Sequence, residues 1–251
     1  MILTIISHTE HYYTSKNKIV GWEPTIREIN QLCDIFDLVY HVAPLCSGIP
    51  HDGNAPYKSD KIKFIPIKPI GGKGIIKKMA ILFSMPFILL KMIKIINKSD
   101  WVHFRCPTNL GIFVLPLLTL YNNKNKWVKY AGNWVEKHPP ISYRLQRWWL
   151  ENNFQNSLVT INGRWLHQKS HLLSFENPCI TNEEMEHAKL IREKKIYTNK
   201  LNLCFVGRLE PEKGALIVYE LLQNLGDATW IDTFYIVGDG PSGTIIDTET
   251  D

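Results

Sequence analysis

The chain has 251 residues, 45 % of them hydrophobic and 21 % charged, with 29 Lys and Arg against 24 Asp and Glu. This composition excludes a disordered or fibrous chain, and the length fits one large domain or two small ones. A net charge of +5 is mild, so its distribution matters more than its size.

The five cysteines (Cys33, Cys46, Cys106, Cys179, Cys204) are odd in number and form no C-x-x-C pair. That excludes a disulfide framework and a cysteine zinc site, and points to a reducing, cytoplasmic compartment. The opening MILTIISHTEHYY has no basic leader and turns polar at Ser7. It reads as a first strand over Ile2–Ser7, not as a signal peptide.

Glu23–Asp37 has helical spacing, with Ile26, Ile29, Leu32, Cys33 and Phe36 on one face. Pro24 and a capping box of Thr25 and Glu28 mark its expected start. Strands follow at Leu38–Ala43 and Ile62–Ile67, the latter ending in a Pro66/Pro69/Gly71-Gly72 cluster. The stretch 75–96 predicts a largely buried helix kinked at Pro86. Its apolar run, Met79–Leu90, is too short to span a bilayer, which needs about 20 residues.

Ten lysines and one acid, Asp60, lie between Lys58 and Lys98. Two readings stand: a solvated face, or contact with an anionic membrane surface at the inner face of the membrane. Nucleic acid is excluded as a partner, because the lysines alternate with Ile, Leu and Met and not with stacking aromatics.

Further on, strands are expected at Trp101–Arg105, Trp127–Ala131, Ser157–Asn162 and Leu172–Glu176. Helices are expected at Leu110–Tyr121, Ile141–Asn153 and Arg164–Ser170. Alternating strands and helices predict an α/β fold with a doubly wound parallel sheet. A charged stretch, 181–200, reads as a linker. A second βαβ unit follows: strand Leu201–Val206, turn Gly207–Gly214, helix Ala215–Gln223 and strand Thr233–Val237.

The turn Gly207–Gly214 joins a strand to a helix and carries Arg208 and Lys213. Free N–H groups at a helix start, with two cations, suit a diphosphate. A surface turn with solvated charges is the competing reading. Gly238-Asp-Gly240-Pro-Ser-Gly243 matches G-x-G-x-x-G, but no helical pattern follows it, so it does not make a dinucleotide fingerprint. No P-loop is present. His167 and His171 stand four apart on the predicted 164–170 helix, with no third metal ligand. No D-x-D follows a strand, and no metal site is expected.

V-G-R-L-x-x-x-K-G at 206–214 and I-V-G-D-G-P at 236–241 resemble the donor half of GT-B glycosyltransferases, most closely the retaining group 1, or family 4, type. Asp100–Pro107, Ser157–Asn162 and Glu176-Asn-Pro178 resemble segments of that family's N-terminal domain. The resemblance implies a GT-B-like pair of Rossmann-like domains with a cleft between them. It assigns 1–180 to the acceptor side, 181–200 to a linker and 201–251 to a partial donor domain. A nucleotide-sugar would be the donor substrate, with no cofactor and no metal. Arg208 and Lys213 would hold its diphosphate and stabilise the leaving charge. Gly207 would allow close backbone approach, and Gly238 and Gly240 would wall the nucleotide pocket.

Acceptor-side candidates are Gly21, in the loop before the first helix, together with His103, Arg105 and Asn133. The family's paired-glutamate motif would fall beyond the last residue given. Two functional readings therefore stand. One is transfer of a sugar to a glycan or lipid-linked acceptor in surface polysaccharide biosynthesis. The other is a truncated, non-catalytic fragment that binds the acceptor without gripping a donor.

Overall fold

The structure, a computed structural model, describes residues 1–69, 75–176, 180–196, 199–226 and 228–244, with the backbone alone at 75–82 and 212. The expected turns at Gly71-Gly72 and Asn177-Pro178, Cys179 and the tail 245–251 lie outside the described residues. The chain divides into two units, Met1–Cys179 and Ile180–Asp251.

In the first unit, β1 (Ile2–Ile6), β2 (His11–Tyr13) and β3 (Ile19–Trp22) lead into α1 (Glu23–Leu32). Then come β4 (Leu38–Pro44), β5 (Asn54–Pro56), β6 (Ile62–Ile67) and α2 (Ile75–Ile96). The unit closes with β7 (Trp101–Cys106), α3 (Gly111–Thr119), β8 (Asn125–Tyr130), α4 (Ile141–Glu151), β9 (Leu158–Asn162) and β10 (Leu172–Phe175).

Seven strands form a parallel sheet in the order β10-β9-β8-β7-β1-β4-β6. Most of the strands are largely apolar, as a sheet covered on both faces requires, whereas β8 carries the buried Lys126 and Lys129. Val102, Phe104, Val128 and Ile161 pack with Met85, Met92 and Ile96 of α2, Leu115 of α3 and Leu150 of α4. Leu3, Ile5 and Val39 pack on the other face against Ile29 and Cys33. The architecture is an α/β Rossmann-like fold.

Four expectations need correction. First, α1 begins at Glu23, not at a Thr25 cap, and no side chain caps it. Pro24 fits the first turn, where its missing N–H is no loss. The earlier start turns Thr25 inward to a buried position and frees Glu28 for other partners. A true capping box occurs instead at Thr181 and Glu184, which start α5 (Asn182–Lys194) in the second unit. Second, α2 is not largely buried: Phe83, Phe87 and Leu90 face solvent. Third, 164–170 is not a helix; His167 takes a left-handed conformation in a turn, and His171 Nε2 meets the Leu150 carbonyl. The two imidazoles therefore share no helix face. Fourth, Gly21 lies not in a loop but in β3, which joins β2 and β5 in a small antiparallel sheet.

The second unit continues from α5 to β11 (Leu201–Val206), a 3-10 turn (Pro211–Lys213), α6 (Ala215–Leu225) and β12 (Ile231–Val237). β11 and β12 pair in parallel. Leu209, Ala215 and Tyr219 form a small core, with Phe205 and Ile236 packed against it.

Phe104 is fully buried in the larger core. Phe104→Ala is expected to lower unfolding stability by about 3–5 kcal/mol, read from urea denaturation followed by circular dichroism.

Candidate functional site

The order of the large sheet locates the site in the first unit. From β1 the chain steps outward to β4 and β6, then returns to β7 on the other side of β1 and steps outward through β8 to β10. The order reverses between β1 and β7. In open α/β sheets the crevice beyond the carboxyl ends of the strands at such a point is where ligands bind. Ser7, His8, Thr9 and Glu10 leave the end of β1, Arg105 stands near the end of β7, and Asn133 follows β8.

Glu28 of α1 ties this edge together. Its carboxylate pairs with Arg105 Nη1 at 2.8 Å and with Lys129 Nζ at 3.0 Å. Lys129 is 1 % exposed and also lies 3.9 Å from the centre of the Phe175 ring. Desolvation raises the Glu28 pKa, but the charges of Arg105 and Lys129, and their hydrogen bonds, outweigh it and hold the carboxyl below its ordinary value. Two cations on one carboxylate leave net positive charge at the edge of the sheet. His8, exposed beside them, has its pKa lowered by desolvation first and by Arg105 second, with Glu10 opposing. Its imidazole is therefore neutral at pH 7.

A closed circuit of hydrogen bonds braces the loop that carries His8. His11 Nδ1 faces the Thr9 carbonyl at 2.8 Å, so that nitrogen carries the proton. A neutral His11 then accepts at Nε2 from the Tyr57 hydroxyl at 2.8 Å. The Tyr57 oxygen in turn accepts from His41 Nδ1 at 2.6 Å. His41 Nε2 accepts from the Ser7 hydroxyl at 2.8 Å, and Ser7 Oγ accepts from the Thr9 N–H at 3.2 Å. The circuit leaves and re-enters the chain at Thr9. Burial lowers the His11 pKa to about 4, against the carbonyl contacts of Thr9 and Pro44, and lowers that of His41 well below its ordinary value. Gly21 makes room for the His11 ring: a Cβ there would fall 2.6 Å from Nε2.

The expected acceptor-side residues thus separate. Arg105 is at the carboxyl edge, held by Glu28. Asn133 is exposed beyond β8, and its Oδ1 accepts from the Val135 N–H. Gly21 is buried and supports the His circuit. His103 is buried mid-strand, stacked on Trp127 with ring centres 3.9 Å apart, and its Nδ1 meets the Trp127 carbonyl at 3.2 Å. It lines an apolar hollow with Met1, Leu3 and Phe36, away from the carboxyl edge. Burial lowers its pKa to about 3. His8, Glu28 and Lys129 were not legible as site residues. The signal for His8 was available: a polar run directly after the first parallel strand.

In the second unit the predicted residues form a local arrangement. After β11, Gly207, Arg208 and Leu209 run beside Gly238, Asp239 and Gly240, which follow β12. Gly207 N–H donates to the Val237 carbonyl, and Leu209 N–H to that of Asp239. Both Gly238 (φ 154°) and Gly240 (φ 153°) adopt backbone conformations that favour glycine. A Cβ at Gly238 would lie 1.8 Å from the Gly207 oxygen, and one at Gly240 2.5 Å from the Leu209 oxygen. Within the chain these two glycines are needed for packing one turn on the other. At Gly207 a Cβ would meet nothing nearer than 3.6 Å.

Arg208 is exposed and pairs with Glu210 at 2.9 Å. Lys213 is exposed in the turn that leads into α6. Gly214 in the left-handed region starts α6, and the Val218 N–H bonds back to its carbonyl. The N–H groups of the first turn before Val218 receive no helical partner. In general, cations beside N–H groups at a helix start favour an anion. Among the described residues no group of three or more His, Cys, Asp or Glu could hold a metal ion.

No family model matches the chain, and no curated protein does. Among solved structures, the chain is similar to a glycosyltransferase from Rickettsia africae ESF-5, with a TM-score of 0.52 and 14 % sequence identity. The match covers 99 % of this chain and 63 % of that one, so the chain spans less than two thirds of the neighbour's length. At this identity the likeness is one of fold.

The two buried histidines give a pH signature. Unfolded, they take protons near pH 6.5; folded, His11 refuses one until about pH 4. Stability is therefore full above pH 6.5 and is lost as pH falls through the window down to 4. At pH 5 the loss from His11 alone is expected to be about 2 kcal/mol, seen as a lower urea midpoint than at pH 7. An unchanged midpoint would contradict the neutral circuit.

Proposed function

We propose that the chain takes part in transfer of a sugar from a nucleotide-sugar donor to a glycan or lipid-linked acceptor, in the assembly of a surface polysaccharide. One observation carries this reading: the strand–turn–helix of the second unit, where Arg208, Lys213 and the start of α6 offer positive charge and free N–H groups. A diphosphate is the ligand class that suits such a set. The fold shared with a glycosyltransferase structure supports the same reading.

In this reading the second unit holds the donor diphosphate. A bond forms between an acceptor oxygen and the anomeric carbon, while the bond from that carbon to the donor phosphate oxygen breaks. The electron pair leaves with the diphosphate, and Arg208 and Lys213 stabilise that charge electrostatically. Glu210 is released from Arg208 as the diphosphate arrives. The acceptor binds at the carboxyl edge of the large sheet. The neutral, exposed His8 stands at that edge.

The expectation for Arg208→Ala is UDP or GDP binding weakened about 10- to 100-fold in calorimetry, because one charge-assisted contact contributes about 1.5–3 kcal/mol. For His8→Ala, in the other unit, it is an unchanged nucleotide affinity. Absence of nucleotide binding even at millimolar ligand would favour the non-catalytic, acceptor-binding reading.

A further inference from the structure

α2 presents two unlike faces. Met85, Ile88, Met92 and Ile96 enter the core. Opposite them, Phe83, Phe87 and Leu90 are 70 %, 75 % and 56 % exposed. Lys91 and Lys94 continue the same stripe, also exposed. At 100° per residue all five fall within a sector of about 100°. The stripe therefore begins aromatic and ends basic. Beside it, Ile67 at the end of β6 and Lys68 after it join Phe83, Phe87, Ile88 and Lys91 around a groove of about 520 Å³.

Two exposed Phe side chains on successive turns are costly in water and call for an apolar covering. The cations identify the covering. Lys68 borders the groove beside the aromatic end, Lys91 and Lys94 follow on the stripe, and Lys98 lies in the turn after the helix, so the occupant carries negative charge next to an apolar layer. A second copy fits poorly, because it would bring the same lysines face to face. No described helix is long and apolar enough to cross a membrane, so a contact here lies on the surface.

We propose that this stripe of α2 docks on the surface of an anionic lipid bilayer. Phe83, Phe87 and Leu90 enter the boundary between headgroups and acyl chains. The lysine stems lie along the apolar layer and their ammonium groups reach lipid phosphates, that of Lys91 while one of its N–H groups donates to the Pro66 carbonyl. The first unit supplies the whole surface, so the inference goes beyond the transfer reading and does not rest on it.

Vesicle sedimentation of the full chain, without donor or acceptor, tests the inference. The vesicles are phosphatidylcholine alone, or phosphatidylcholine with about a third phosphatidylglycerol. The wild-type chain is expected to partition at least about tenfold more strongly onto the anionic vesicles, and less so as salt is raised. Phe83→Ser with Phe87→Ser should lower that partition about tenfold or more. Lys91→Gln with Lys94→Gln should lower it about fivefold per lysine and leave any weak binding to neutral vesicles unchanged. All four positions are exposed, so thermal melts should match the parent. If one pair melts early, Leu90→Ser and Lys68→Gln repeat the test. Equal partition onto both vesicles, no partition, or unchanged partition in the variants would overturn the proposal. So would a lipid-free dimer in sedimentation velocity that the Phe substitutions dissociate, because the face would then belong to a second copy.

Discussion

Glu28 reaches from α1 to two adjacent strands and closes on Arg105 and Lys129 together. Lys129 is almost wholly buried, and an unpaired ammonium in that place would be severely penalised. The carboxylate removes that penalty and fixes α1 against β7 and β8 beside the reversal of strand order. It also orients the Arg105 guanidinium at the edge where ligands bind in folds of this kind. The Arg105 charge kept there helps hold the His8 pKa below its ordinary value.

The loop after β1 has its own support. Ser7, His41, Tyr57 and His11 pass hydrogen bonds in one direction and return them to Thr9. Each ring nitrogen and hydroxyl in the circuit has a partner, so a buried polar cluster is tolerated inside an apolar fold. Either histidine, once protonated, would set two donors against each other. The circuit is therefore rigid at neutral pH and vulnerable to acid, and it joins the large sheet to the small antiparallel sheet through His11, Tyr57 and the space left by Gly21.

The second unit solves a different problem with backbone alone. Two turns pack so closely that side chains are excluded at Gly238 and Gly240. The Arg208 and Lys213 side chains remain outside, exposed to water, with Arg208 paired to Glu210. Both units thus put positive charge at the ends of parallel strands. In the first it is held by a half-buried carboxylate, and in the second Arg208 pairs with Glu210 at the surface.

The alternation of apolar strands with helices was legible in the sequence, and so was the order of the elements, because a parallel sheet demands nearly continuous apolar strands. The strand, turn and helix that carry Arg208 and Lys213 were legible for a related reason: three elements in immediate succession form locally. The three-stranded sheet of β2, β3 and β5 was not, since its strands are three or four residues long and pair across distant segments. Thr25 and Glu28 matched a local cap, yet the helix starts earlier and Glu28 serves partners about 75 and 100 residues away. Likewise, the apolar pattern of 83–90 gave no sign of which side faces water; only packing against the sheet separates Met85 and Ile88 from Phe83 and Phe87. Local periodicity and turn chemistry are written along the chain. The partner of a buried charge, and the face a helix turns to solvent, depend on residues that only the folded sheet brings into contact.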